Sequence, residues 1–132
     1  MTKNFDLTIG EPGTSKTYSL VTKALEAKLK GEDVFITSPT NASKQNIVSM
    51  IKERKHVVSS ENERNKLNDL IGNVFVLEGS YNGEHEVFID EIGQYPSANL
   101  NSLLLKLQSV DDANIHLSGD IKQLTQGYLD RQ

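Results

Sequence analysis

Residues 10–17 read Gly-Glu-Pro-Gly-Thr-Ser-Lys-Thr, the stretch of this chain best equipped for chemistry. A glycine-rich loop lets amide N–H groups converge on phosphate oxygens, and a helix N-terminus behind them adds partial positive charge. Lys16 supplies an ammonium for the β- and γ-phosphates and Thr17 a hydroxyl for Mg²⁺. The pattern is G-x-x-x-x-G-K-[ST] except that Ser15 replaces the second glycine. The candidate phosphate-binding residues are therefore Gly10, Glu11, Pro12, Gly13, Thr14, Ser15, Lys16 and Thr17. A Cβ at Ser15 crowds the phosphate if the backbone needs a glycine-only conformation; otherwise its hydroxyl adds a donor. The plainer alternative is a strand–turn–helix junction in which Gly-Pro-Gly merely makes a tight turn.

A second candidate lies far along the chain, where Val87-Phe88-Ile89 runs into Asp90-Glu91. An apolar strand ending in two acids has the form of a Walker B segment. Asp90 would hold the Mg²⁺ shell, and Glu91 would orient or deprotonate an attacking water. Adjacent acids at a strand end are common on surfaces, so the pairing with residues 10–17 carries this reading.

Both candidates need elements to position them. Phe5 to Ile9 alternates and ends at a glycine turn, which predicts a short strand. From Lys16 an apolar stripe of Leu20, Ala24, Ala27 and Leu29 predicts a helix closed by Gly31. Val34 to Thr37 predicts a second strand, stopped by Ser38-Pro39. Asn41 is placed to cap a helix reaching about Lys55, with Ile47, Val48 and Ile51 buried. Further on, a polar helix is predicted at 61–70, strands at 74–77 and 87–90, a helix at 97–109 and a strand at 114–118. Asn82-Gly83 is a strong hairpin signal, so its flanking strands are either antiparallel or separated by a longer crossover. Alternating strands and helices predict an α/β, three-layer domain with a mostly parallel central sheet. Ligands bind such sheets at the carboxyl ends of strands, where both candidate segments fall.

Composition sets the outer bounds. A chain of 132 residues, 36% of them hydrophobic, suits one compact domain over residues 1–132. With no cysteine, disulfides and thiolate metal sites are excluded. A net charge of −4 gives no global field to attract nucleic acid, so such contact has to be local. The densest basic stretch, Lys52, Arg54, Lys55 and His56, reads as a solvated helix end suited to the dipole there. His56, His85 and His116 are too scattered to suggest a metal site. No apolar run approaches a membrane span or a signal peptide, so no membrane partner is expected and a soluble cytoplasmic protein is the default.

Four segments, in order, resemble the first RecA-like domain of superfamily 1 helicases, a P-loop NTPase fold. GEPGTSKT resembles motif I, ITSPTNAS at 36–43 motif Ia, IDEIG at 89–93 motif II, and LSGDIKQL at 117–124 motif III. The G-D-x-x-Q-L core of the last is the most discriminating. The resemblance implies ATP or another NTP with Mg²⁺ as cofactors and single-stranded DNA or RNA as partner. It implies Lys16, Glu91 and Gln123 as catalytic residues, Gln123 reaching toward the γ-phosphate on a loop shaped by Gly119 and Asp120. Pro39, Thr40 and Asn41 would touch the strand backbone, with a plain helix cap as the alternative reading.

The family also has a second RecA-like domain carrying an arginine that completes the site, so that domain is expected in cis or in trans. Arg54, Arg64 and Arg131 are the arginines here, and none lies in a recognisable finger motif. The implied activity is slow NTP hydrolysis without duplex unwinding. A viral or mobile-element source is consistent with a naturally short relative. A non-motor binding module with little turnover is the second reading. An AAA-type ATPase, whose phosphate loops resemble GEPGTSKT, ranks third because such proteins carry a helical lid and lack G-D-x-x-Q-L.

Overall fold

The computed structural model describes residues 4–8, 14–77 and 81–119, with side chains from residue 16 onward. Strand β1 (Asn4–Thr8) is followed by α1 (Thr14–Leu29), β2 (Val34–Ser38), α2 (Asn41–Val57), α3 (Glu61–Ile71) and β3 (Val74–Val76). Then come β4 (Glu86–Ile89), a 3₁₀ turn (Ile92–Gln94), α4 (Ser97–Leu107) and β5 (Asn114–Ser118). The strands form one sheet in the order β1-β5-β4-β2-β3, and every pairing is parallel.

The strand sequences explain why this sheet is covered on both sides. Side chains alternate along a strand, so Ile36 and Phe88 face one way while Phe35, Val87 and Ile89 face the other. The first pair packs with Leu20 and Ala24 of α1, Ile47 and Ile51 of α2, and Leu67 and Leu70 of α3. The second set packs with Leu100, Leu103 and Leu107 of α4 and with Ile115. Strands buried on both faces read as continuous apolar runs, as β2 and β4 do. Each fully buried Leu, Ile or Phe contributes roughly 1.5–3 kcal/mol. The helices α1 to α3 carry the chain toward β3, and α4 carries it back toward β1. Right-handed crossovers then require the two groups to lie on opposite faces.

One open alternative is decided and one expectation corrected. Asn82-Gly83 does not join a hairpin, because β2 lies between β3 and β4 and all three are parallel. The cap of α2 is Thr40 rather than Asn41: Thr40 is extended, and its hydroxyl accepts the Ser43 amide at 3.1 Å. Asn41 is the first helical residue. Gly31 closes α1 as expected, at φ 97°, where a side chain would be strained. Among the described residues, no helix is long and apolar enough to cross a membrane.

Candidate functional site

The carboxyl ends of the strands bring the two candidate segments together. Strand β5 separates β1 from β4, so Thr17 in the first turn of α1 reaches across one strand to Asp90, just past β4. The Thr17 hydroxyl lies 3.2 Å and 3.1 Å from the two carboxylate oxygens of Asp90. Both residues are buried, Asp90 at 1% exposure, while Lys16 is half-buried beside them. Burial pushes the Asp90 carboxyl up to about 6, and the neighbouring Glu91 charge pushes the same way; the Thr17 hydroxyl and the Lys16 ammonium pull against them. Ser118 follows Leu117, the register partner of Ile89, so it ends β5 beside Asp90. Its hydroxyl is buried without a hydrogen-bond partner among the described residues.

A pocket of about 290 Å³ opens here, lined by Thr17, Asp90 and Glu91 on one side and by Thr40, Ala42, Ser43 and Asn46 on the other. Thr40, Ser43 and Asn46 are spaced by three, which puts them on one face of the α2 N-terminus. That spacing was available in the sequence; Ser43 closes the segment resembling motif Ia, while Asn46 lies in no motif. Of the expected strand-contact residues, Pro39 is buried while Thr40 and Asn41 are exposed. Gly10, Glu11, Pro12 and Gly13 lie outside the described residues, as do Asp120 and Gln123. Thr14 and Ser15 open α1.

Glu91 sits in the left-handed region at φ 49°, ψ 53°, where a non-glycine residue is strained, and such strain is often stored at functional sites. The loop around it is held from two directions. The Asp90 amide donates to the Thr37 carbonyl at 2.9 Å, and the Tyr95 hydroxyl meets the Thr37 hydroxyl. From below, Gly119 at φ 149° abuts the Glu91–Ile92 junction; a Cβ there would lie 2.7 Å from the Ile92 nitrogen. The glycine of G-D-x-x-Q-L is therefore required by packing against the acidic segment.

The donor set of Thr17 and Asp90 fits Mg²⁺. A hydroxyl and a carboxylate are hard oxygen ligands, and a buried carboxylate whose proton affinity stays raised despite its protein donors gains from a cation. Among the described residues, no three His, Asp or Glu side chains cluster as a protein-only cage. Such an arrangement suits an ion that takes its other ligands from phosphate and water.

Lys16 and Thr17 opening a helix beside an acidic strand end, on a parallel three-layer sheet, are the layout of a P-loop NTPase domain of α/β, RecA-like architecture. Residues 1–126 match the family model described as AAA domain, and the chain belongs to that family. Nucleotide binding and hydrolysis are the activities of that class. Neither the curated proteins nor the solved structures provide a match to the chain. The match places the chain among P-loop NTPases of the AAA/RecA-like kind, the class that the helicase-type and AAA-type readings share.

Proposed function

We propose that this chain binds a Mg²⁺-bound nucleoside triphosphate, ATP for preference, and hydrolyses it as the first motor domain of a superfamily 1-type helicase. The observation that carries the catalytic part is the buried Thr17–Asp90 pair beside a strained Glu91, all lining one pocket. In this reading Lys16 neutralises the β- and γ-phosphates, and Thr17 and Asp90 hold the metal. Mg²⁺ supplies charge stabilisation to the phosphoryl group being transferred. Glu91 takes the proton of the attacking water, and Gln123 senses the γ-phosphate.

The helicase part rests on motif order and on the shared pocket. Thr40 and Ser43 belong to the segment resembling motif Ia, and they line the same cavity as Asp90 and Glu91. A strand bound at Thr40–Asn41 would therefore lie next to the hydrolytic residues. Arg64 donates to the Val58 carbonyl and Arg54 lies in the last turn of α2, so neither lines the pocket. A finger arginine from a second RecA-like domain is worth about 10³–10⁵ in rate in P-loop enzymes, so supplying such a domain should raise turnover by that order.

The test is phosphate release from Mg-ATP with and without a single-stranded oligonucleotide. Release is expected to be slow, to rise with the oligonucleotide and to vanish in Lys16→Ala. That variant should lose about 10- to 100-fold in triphosphate affinity while keeping its fold. Glu91→Gln should bind Mg-ATP and lose turnover. Unchanged binding in Lys16→Ala sinks the site assignment. Binding without any release by the wild-type chain favours the non-motor binding module.

A further inference from the structure

The segment from Asp90 to Tyr95 carries Glu91, and both of its ends are fastened to one residue of the neighbouring strand. At the near end the Asp90 amide donates to the Thr37 carbonyl at 2.9 Å. At the far end the Tyr95 hydroxyl hydrogen-bonds the Thr37 hydroxyl, and each also reaches the Leu77 carbonyl, Tyr95 at 2.8 Å. Two hydroxyls and one carbonyl satisfy one another: one proton goes to Leu77, and the other closes the link between the side chains. Thr37 is fully buried and Tyr95 nearly so, which makes an unpaired hydroxyl costly at either position.

Between these anchors the backbone makes two changes of direction. Glu91 is left-handed, and the 3₁₀ turn that follows is closed by Gln94 N–H to the Glu91 carbonyl at 2.9 Å and Tyr95 N–H to the Ile92 carbonyl at 3.2 Å. A left-handed glutamate is strained and persists only where its surroundings hold it. Tyr95 begins the extended link into α4, and the Leu100 amide donates to Pro96 at 3.0 Å. The Tyr95 hydroxyl is thus a hydrogen-bonded anchor at the end of the turn, beside the buried Ile92.

We infer that Tyr95 is a positioning residue for Glu91: its hydroxyl, fixed on Thr37 and the Leu77 carbonyl, holds the strained Glu91 segment in the geometry hydrolysis requires. This deepens the hydrolytic reading above and rests on it. Tyr95 touches neither nucleotide nor metal in this scheme. Its effect falls on turnover and spares binding.

The experiment compares wild type, Tyr95→Phe, Thr37→Val, Thr37→Ser and the Tyr95→Phe/Thr37→Val double variant. Three quantities are read: the rate at saturating Mg-ATP, Mg-ATP affinity and thermal stability. Tyr95→Phe should lower the saturating rate about tenfold, the size expected when a displaced Glu91 forfeits one interaction made only in the transition state. Mg-ATP affinity should stay within twofold. Thr37→Ser, which keeps the hydroxyl, should retain most of the rate. The double variant should be no slower than the slower single variant, since both remove one shared link.

A wild-type rate in Tyr95→Phe overturns the inference. So does a parallel loss of rate, affinity and stability, which would show a general structural prop. Amide exchange at Gln94 and Tyr95 in the nucleotide-bound protein gives a readout independent of turnover. It should quicken in Tyr95→Phe, and unchanged exchange overturns the inference even if the wild-type chain proves inactive. Full activity in Glu91→Gln would instead sink the hydrolytic reading, so the two failures are distinguishable.

Discussion

Two buried carboxylates mark the two ends of strand β4, and the protein treats them differently. Glu86 opens the strand at 8% exposure, and its oxygens accept hydrogen bonds from the Asn114 side-chain amide and from His116 Nε2 at 3.0 Å. The His116 ring in turn stacks on Phe88, with centroids 4.2 Å apart and planes 6° from parallel. Asp90 follows the strand at 1% exposure; its carboxylate accepts from the Thr17 hydroxyl and the Glu91 amide, and these with the Lys16 ammonium do not offset the cost of its burial. Glu86 is supplied with donors by the fold. Asp90 is held in an environment that raises its proton affinity, with a pocket opening beside it. A buried acid that the protein satisfies is architecture; one left wanting a cation is prepared for a ligand.

The largest effect expected from breaking this contrast is at Asp90. Asp90→Asn keeps an acceptor for Thr17 but removes the charge that would hold Mg²⁺, so turnover should fall by about 10² or more. The same change should stabilise the ligand-free protein. A carboxyl raised from 3.8 to about 6 is harder to ionise in the fold than in the unfolded chain. At pH 7 that penalty is on the order of 3 kcal/mol. A thermal melt of ligand-free Asp90→Asn should therefore lie above wild type while phosphate release is lost. A lower melting temperature would mean that Asp90 is a structural acid after all.

Glu86→Ala should do the opposite. It removes the acceptor shared by Asn114 and His116, at a cost of about 1–3 kcal/mol. Mg-ATP affinity, measured at a temperature where the variant is folded, should be unchanged, because the substitution lies at the other end of the strand. A loss of affinity comparable to that of Asp90→Asn would erase the distinction.

Much of this contrast was legible in the residues. The apolar run ending in Asp90-Glu91 and the Gly-rich run ending in Lys16-Thr17 each named one half of the candidate site. The rule that ligands gather at strand carboxyl ends brought the halves together, and the Thr17–Asp90 contact agrees. Helical periodicity gave the buried face of α2 as Ile47, Val48 and Ile51, and those three are buried. Local signals failed where two residues shared a propensity. Thr40 and Asn41 both cap well, and the choice fell to the geometry of the Ser43 amide.

Asn82-Gly83 marked a turn, yet whether its flanking strands pair depends on where β2 inserts, which is a long-range fact. The Tyr95–Thr37 link spans 58 positions and has no sequence signature. The left-handed Glu91 was equally hidden, since glutamate has no intrinsic preference for that conformation. What could not be read came from contacts between distant strands.

The smallest expected effect is also the one that most sharpens the comparison, because it follows Asp90 through pH. In the ligand-free protein a proton and a cation compete for this carboxylate near pH 6. Above that pH the group is ionised and free to take Mg²⁺. Between pH 7 and pH 5 the ionised fraction falls about tenfold, and Mg-ATP affinity should weaken by the same factor. The stability of the ligand-free protein should move the other way. The raised carboxyl binds its proton more tightly in the folded state, so stability falls as pH rises through the window from about 4 to 6. Protonation of ATP itself contributes to the affinity profile, and Asp90→Asn isolates that part: the variant should retain only the nucleotide's own pH dependence and lose the stability slope. Glu86→Ala should keep both. Identical pH profiles for wild type and Asp90→Asn would show that Asp90 does not titrate in this range, and its burial would then have to be offset by a partner other than Thr17.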